Sequence, residues 1–181
     1  AGLTGGDTTP TGASVGTKQG FSIVTWTSPS SADTDGWTIP HGLTQKPDFM
    51  LVKVTNTTGS WTVFHKDLGN TKALYLNDTS LGQTNQSLWN NTDPTDVVWS
   101  AGSTGWYGQS NNFVTLAWHD VPGLQKFGKY DGNSSADGPF IDCGFSPAIV
   151  IIRKYNTGTN NWYMFDNQLN KYNLSTEYVC P

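Results

Sequence analysis

The sequence is a series of short apolar runs of four to six residues, separated by clusters of turn-forming residues. β-branched and aromatic residues dominate the runs, as they do in strands, while Asn, Asp, Gly and Thr dominate the segments between them. No window holds a 3.6-residue apolar period for more than two turns, which argues against helices. The pattern therefore predicts an all-β protein. The runs lie at residues 21–26, 49–54, 61–64, 73–76, 113–118 and 148–152.

The composition supports this fold class. Charged residues make up 13% of the 181 residues, about half the share in an ordinary globular protein, and aromatic residues make up another 13%. Hydroxyl and amide groups must therefore solvate much of the surface. We expect antiparallel β-sandwich units, jelly-roll-like in character, since an aromatic-rich pleated sheet buries its large side chains on one face.

Charge and hydropathy exclude two classes of partner. The formal net charge is −4 and the chain has no basic run, so the patch that neutralises phosphates in nucleic-acid binding is missing. No apolar stretch approaches the roughly 20 residues of a membrane span. We expect neither nucleic-acid binding nor membrane insertion.

An internal repeat organises the chain. Motifs that follow Gly20 recur in the same order after Gly123, at offsets of 100 to 104 residues. In each copy a Pro precedes an apolar run, where its missing N–H costs no ladder hydrogen bond, and a Trp and a Phe follow in the next run. A fixed order at nearly fixed spacing predicts one supersecondary unit used twice. The matched structural pairs are Pro47 with Pro147, Trp61 with Trp162, and Phe64 with Phe165.

The repeat predicts an extended arm or linker at residues 1–20, a first β repeat at residues 21–122 and a second, incomplete β repeat at residues 123–181. The two repeats form either separate units or one joint sandwich. Nothing after Cys180 matches the segment from Val97 to Trp118. Because an unfilled strand position leaves an open sheet edge, we expect strands from the first repeat, the arm or another chain to complete it, unless the chain is a fragment of a longer protein.

The first twenty residues contain six Gly and five Thr and almost no large apolar side chain. Such a segment cannot bury enough apolar surface to fold alone. We expect it to make few contacts with the core of its own chain and to order against a body domain or a neighbouring subunit.

Several motifs resemble a known family. The run HDVPGLQKFGKY at 119–130, followed by GN at 132–133, ADGPF at 136–140 and GFSPA at 144–148, resembles a repeat found in structural proteins of marine tailed bacteriophages. Upstream, PHGL at 40–43, NTKALYLN at 70–77 and WNNT at 89–92 fit the preceding unit of that family. The resemblance covers about residues 20–178.

The resemblance implies a non-catalytic structural protein at the virion surface of a tailed bacteriophage. Its place would be on the tail fibre or tail, or decorating the capsid. Its partners would be other copies of itself or other virion proteins. The family supplies no catalytic residue and no cofactor, and we expect none here.

The acidic residues do not predict an enzyme. Of 14 acidic residues only Glu177 is a Glu, and the Asp residues lie mainly in turn clusters, where side-chain bonds to the backbone explain them. Glycoside hydrolysis needs two carboxylates held about 5–10 Å apart, so a depolymerase is disfavoured.

Metal and thiol chemistry is also weakly indicated. His41, His65 and His119 lie far apart, none in a two-His metal spacing. Asp33 with Asp35, or Asp131 with Asp137, could bind Ca²⁺, but turn hydrogen bonding is the favoured interpretation and we expect no metal. Cys143 and Cys180 form either one disulfide or two free thiols.

Four aromatic residues lie in polar contexts typical of loops. An exposed ring flanked by Asn and Gly can stack on a sugar or anchor a protein partner, whereas packing on the same fold is the other interpretation. The alternative function that follows is a carbohydrate-binding β-sandwich module that recognises a host surface glycan. The four candidate binding residues are Trp37, Trp89, Trp106 and Tyr107.

Overall fold

A computed structural model describes residues 2–31, 35–80, 82–84, 87–102 and 107–169. These residues form eleven β-strands and no helix, so they hold no helix that could cross a membrane, and the predicted all-β fold is confirmed. The strands are β1 (Gly12–Gly16), β2 (Phe21–Thr27), β3 (Trp37–Pro40), β4 (Phe49–Val54), β5 (Thr62–His65), β6 (Lys72–Tyr75), β7 (Gln83–Thr84), β8 (Val98–Ala101), β9 (Asn112–Trp118), β10 (Ile149–Ile152) and β11 (Tyr163–Asp166).

The strands form antiparallel sheets. The largest has seven strands in the order β1-β2-β9-β4-β5-β6-β7, and β3 and β8 form a two-stranded ribbon. β10 and β11 form a separate two-stranded hairpin. The connection from β4 to β5 is a short hairpin loop, whereas β9 enters between β2 and β4 from far along the chain. β9 is therefore an inner strand of the sheet, paired on both sides.

The main core lies between the seven-stranded sheet and the β3–β8 ribbon. β2, β4 and β9 alternate buried and more exposed residues, as a sheet with one fully covered face requires. Their buried side chains meet those of Ile39 and Trp99 from the ribbon, each at most 1% exposed. This arrangement is the predicted antiparallel sandwich.

Trp26 on β2 is the centre of that core. Its ring stacks on Phe113 at a centroid distance of 4.5 Å and meets Trp99 edge-on at 5.7 Å. Its Nε1–H donates a buried hydrogen bond to Thr115 Oγ1 at 3.0 Å. Each aromatic pair of this kind contributes about 0.5–1.5 kcal/mol beyond area burial, so the ring binds the two layers together.

The outer face of the large sheet is also apolar. Ile23, Leu116, Leu51, Val63 and Leu74 are successive cross-strand neighbours over five strands. Trp162, which precedes β11, packs over Val63 and Leu74 at one end of this row. Ile23 at the other end is 36% exposed. Trp162 therefore covers the Val63–Leu74 end of this row, while Ile23 at the other end stays partly exposed.

The expectation that residues 1–20 make few contacts with the core is wrong. β1 pairs with β2 over five residues, and Leu3 packs against the main core. Asp7 and Thr38 exchange two hydrogen bonds of 3.0 Å. The segment is ordered by backbone and side-chain hydrogen bonds along a sheet edge, which a count of apolar residues does not register.

We predict that deleting residues 1–17 lowers the stability of the monomer. The deletion exposes the edge of β2 and removes the bonds to Thr38, so the free energy of unfolding should fall by about 2 kcal/mol or more. For a chain of this size that is a fall in melting temperature of about 4–8 °C. Differential scanning calorimetry measures it, with deletion of residues 1–2 as the control. An unchanged melting temperature would restore the picture of a free arm.

Candidate interaction surface

The predicted aromatic anchors are not presented to solvent. Trp37 is 3% exposed, Trp89 is 1% exposed and Tyr107 is 2% exposed, and all three belong to the main core. Trp106 lies outside the described residues. The interpretation of Trp37, Trp89 and Tyr107 as exposed loop residues is therefore corrected, because a ring at this burial has no face free for a sugar or a partner.

The reason lies in the width of the two layers. The β3–β8 ribbon has two strands and cannot cover a seven-stranded sheet, so the polar segment around Trp89 folds over the remainder. The Trp89 ring meets Phe64 and Trp99 edge-on at 5.4 and 5.9 Å, and its Nε1–H donates to the Lys72 carbonyl at 2.9 Å. A loop without a strand pattern thus contributes a core ring.

Tyr107 borders a small cleft at one end of the sandwich. The cleft has a volume of about 220 Å³, and its floor is formed by Tyr107 and Phe113. The Tyr107 hydroxyl is buried and has no hydrogen-bond partner among the described residues, and burial strongly raises its pKa. Hydroxyl and amide groups around it could bond a small polyhydroxylated ligand. The polar lining residues are Thr57, Thr58, Ser60, Thr62 and Asn111.

The histidines serve the fold. His41 is fully buried; its Nδ1 accepts the Leu43 N–H at 3.1 Å, and its Nε2 lies 3.1 Å from the Thr95 carbonyl, to which it must donate. His119 Nδ1 lies 2.7 Å from the Asp120 carbonyl. The described residues contain no group of three or more His, Cys, Asp or Glu side chains that could hold a metal ion. Cys143 is a free cysteine, and Cys180 and Asp33 lie outside the described residues.

An ion cluster joins the two repeats. Lys66 Nζ lies 3.2 Å from Asp48 Oδ1 and 3.0 Å from Asp120 Oδ2, and Lys126 Nζ lies 2.8 Å from the same Asp120 oxygen. Burial alone would raise the pKa of Asp120, but hydrogen bonds from Lys126, from the Phe127 N–H and from Lys66 hold it below its ordinary value. The carboxylate fixes the chain leaving β9 against the β4–β5 hairpin.

The β10–β11 hairpin has the same pairing as the β4–β5 hairpin. Met50 lies opposite Phe64, and Val150 lies opposite Phe165. Val150 follows Met50 by 100 residues, and Phe165 follows Phe64 by 101. The Lys66 N–H donates to the Asp48 carbonyl at 2.8 Å, and the Asn167 N–H donates to the Ala148 carbonyl at 2.9 Å. The two hairpins thus share register and the bond that closes them.

The matched residues of the sequence repeat hold matching positions in these hairpins. Pro47 and Pro147 each lie two residues before their strand, β4 or β10. Trp61 and Trp162 each directly precede the second strand of their hairpin. Gly42 and Gly144 both have a positive φ, of 75° and 76°, which favours glycine. The wider repeat, over the whole of both segments, stays a prediction.

The two hairpins differ in their neighbours. β4 pairs with β9 on its other side, whereas no described strand pairs with the other side of β10. Residues 139–143 follow the positive-φ Gly138 as β3 follows Gly36, but form no strand. Phe140 in this segment is 92% exposed, and Ile149 and Ile151 on β10 are each 55% exposed. We define β10, β11 and Phe140 as the open hairpin.

Contacts among the described residues anchor the loop end of the open hairpin. The Arg153 guanidinium donates to the carbonyls of Tyr75 and Asp78 at 2.6 Å and lies 5.3 Å from the centre of the Trp162 ring. Trp162 Nε1–H also donates to the Tyr75 carbonyl, at 3.0 Å. Sequence reasoning identified Trp162 through the repeat but missed Arg153 and the exposed isoleucines.

One family model matches the chain. It is described as a domain of unknown function (DUF7483), and it matches residues 2–181. The chain belongs to this family. The match spans the N-terminal strand, the sandwich and the open hairpin, so all three are parts of the family's unit. No curated protein and no solved structure matches the chain.

We predict that Trp89→Ala destabilises the protein. Removing a fully buried Trp leaves a cavity among Phe64 and Trp99, and such substitutions cost about 3–5 kcal/mol. Chemical denaturation measures the loss, with Phe140→Ala as the matched control, because truncation of a side chain that is 92% exposed should cost less than about 0.5 kcal/mol. Equal stability of the two variants would mean that Trp89 is a surface residue after all.

We predict that His41 makes the protein less stable in mild acid. Burial lowers the pKa of His41, against the opposing effects of the Thr95 carbonyl and Asp96. The unfolded chain therefore takes up a proton at a pH at which the folded chain does not. Stability should be full above about pH 6.5 and fall as the pH decreases towards the lowered pKa.

Urea denaturation between pH 8 and pH 5 checks this expectation. His41→Gln should be less stable at pH 8 but lose less on acidification. We assign the loss of stability that remains in His41→Gln on acidification to His65, whose pKa is also lowered by burial. The same loss in His41→Gln and in the unsubstituted protein would assign the acid sensitivity to other groups.

Proposed function

We propose that the chain is a non-catalytic structural module of a tailed-bacteriophage virion, on the tail fibre or tail or decorating the capsid. The observation that carries the proposal is the open hairpin. Its strand edge is unpaired among the described residues, and its apolar side chains face solvent. Soluble proteins normally cover such edges, so an open one favours sheet-to-sheet assembly with a partner.

The sequence resemblance supplies the biological setting. The motifs from residue 119 to residue 148 that resemble virion structural repeats form the chain between the ion cluster and the open hairpin. They include Phe140 and Pro147 and lead directly into β10. This stretch of the resemblance thus leads directly into the proposed assembly surface.

The physical character of the molecule suits repeated assembly in salt water. The contacts that hold the two layers together are aromatic and apolar, and salt does not screen them. In the described part of the chain the ion pairs form one small cluster, in which Lys66 and Lys126 meet Asp48 and Asp120. A module of this kind keeps its shape at an ionic strength that weakens surface ion pairs.

Labelling of purified virions tests the proposal. An antibody raised against the purified chain, carrying gold, should decorate the tail or the capsid of the phage whose genome encodes the chain, in electron micrographs. Preincubation of the antibody with the purified chain should remove the label. Particles without label, from infected cells in which the chain is present, would contradict the proposal.

A carbohydrate-binding module is the second candidate, and the cleft at Tyr107 is the observation that favours it. Isothermal titration with host surface polysaccharide distinguishes the two. Thr58 lines the cleft and is exposed, so Thr58→Ala removes a hydroxyl from the cleft without disturbing the core. Saturable binding lost in Thr58→Ala and kept in Thr79→Ala, an exposed threonine away from the cleft, would favour glycan recognition.

A further inference from the structure

We propose that the open edge of β10 accepts one additional antiparallel strand of the β9 type, supplied by a partner polypeptide. By β9 type we mean an extended segment that alternates large apolar side chains with smaller ones, as β9 does. The inference rests on the proposed assembly function and names its contact. It concerns binding by the purified chain, so it can fail while the location on the virion holds.

The first repeat is the template for this contact. β4 and β10 each pair on one side with the next strand of their hairpin, β5 or β11, in the same register and with the same closing hydrogen bond. On its other side β4 pairs antiparallel with β9 over six residues, Phe49 opposite Trp118 and Leu51 opposite Leu116. The corresponding edge of β10 has no described strand beside it. The molecule itself thus shows which kind of strand fits an edge of this shape.

The backbone of β10 is ready to bond such a strand. Residues of an antiparallel strand alternate in the side to which their N–H and C=O groups point. The Ala148 carbonyl accepts from Asn167 on the β11 side, so Val150 and Ile152 also bond towards β11. The N–H and C=O groups of Ile149 and Ile151 therefore point to the open edge, where a donor strand supplies the missing partners.

The side chains define what the donor strand carries. Ile149 and Ile151 are the counterparts of Phe49 and Leu51, whose neighbours on β9 are Trp118 and Leu116. Both isoleucines are 55% exposed, so they have apolar surface left to bury. A donor strand with large apolar residues two positions apart on the same face would cover both. This pattern provides the specificity and the backbone bonds provide the affinity.

One difference between the two hairpins predicts how the contact responds to salt. Asp48 and Lys66 fix the chain next to β4 by ion pairs, whereas their counterparts beside β10 are Ala148 and Asn167. The additional strand at the open edge of β10 is therefore held by neutral hydrogen bonds and apolar contacts. Its binding should change little between 50 mM and 500 mM NaCl.

A peptide with the sequence of residues 111–120, NNFVTLAWHD, is the probe for this edge. Labelled with a fluorophore, it should bind the purified full chain saturably, as measured by fluorescence anisotropy, whereas a scrambled peptide should not. Ile151→Pro removes an N–H that points to the open edge and leaves the bonds to β11 intact, so it should weaken binding at least tenfold. Ile151→Lys should do the same by placing a charge on the edge.

Met164 provides the matched control. It lies opposite Ile151 on β11, and its N–H points away from β10. Met164→Pro and Met164→Lys should therefore bind the peptide as the unsubstituted chain does, provided that circular dichroism shows the same fold in all variants. Binding that is equal in the Ile151 and Met164 variants would overturn the proposal, because the peptide would then be replacing β9 in the first repeat. Absence of saturable binding to the unsubstituted chain would overturn it too.

Discussion

The packing of Trp26 between the two layers is the interaction on which the structure depends. Its ring touches Phe113 on the neighbouring strand of its own sheet and Trp99 on the opposite ribbon, and its N–H is bonded to Thr115. Phe113 and Thr115 are on β9 and Trp99 is on β8. The core therefore requires β8 and β9 in addition to the β4–β5 hairpin and β3.

This requirement explains the contrast between the two repeats. The described part of the second repeat has the counterpart of the β4–β5 hairpin but none of β8 or β9. Phe165, the counterpart of the buried Phe64, remains half-buried, and Ile149 and Ile151 face solvent. What holds the hairpin in place is the contact of Trp162 and Arg153 with the Tyr75 carbonyl. Among the described residues, the β10–β11 hairpin therefore has a sheet edge with no strand beside it.

Sequence patterns predicted the fold class and the strands β2, β4, β5, β6, β9 and β10, because β-branched runs between turn residues have few other solutions, but they did not predict the β3–β8 ribbon. The sequence matched Pro47 with Pro147 and Trp61 with Trp162, and the members of each pair hold the same position relative to the strand that follows. Sequence patterns failed for the N-terminal segment, in which β1 pairs with β2 and Asp7 bonds to Thr38, and for Trp89, which is buried by a loop. Neither kind of contact has a periodic signature, since both join residues that are distant in the chain or irregular in conformation.

Amide hydrogen exchange measured by NMR tests the central claim, that the outer edge of β10 is unpaired in the isolated chain and can bind an additional strand. In the isolated chain the amides of Phe49 and Leu51, which face β9, should be strongly protected. Those of Ile149 and Ile151 should exchange orders of magnitude faster, and the β9 peptide should slow them. Protection of Ile149 and Ile151 equal to that of Phe49 and Leu51 in the isolated chain would contradict the account.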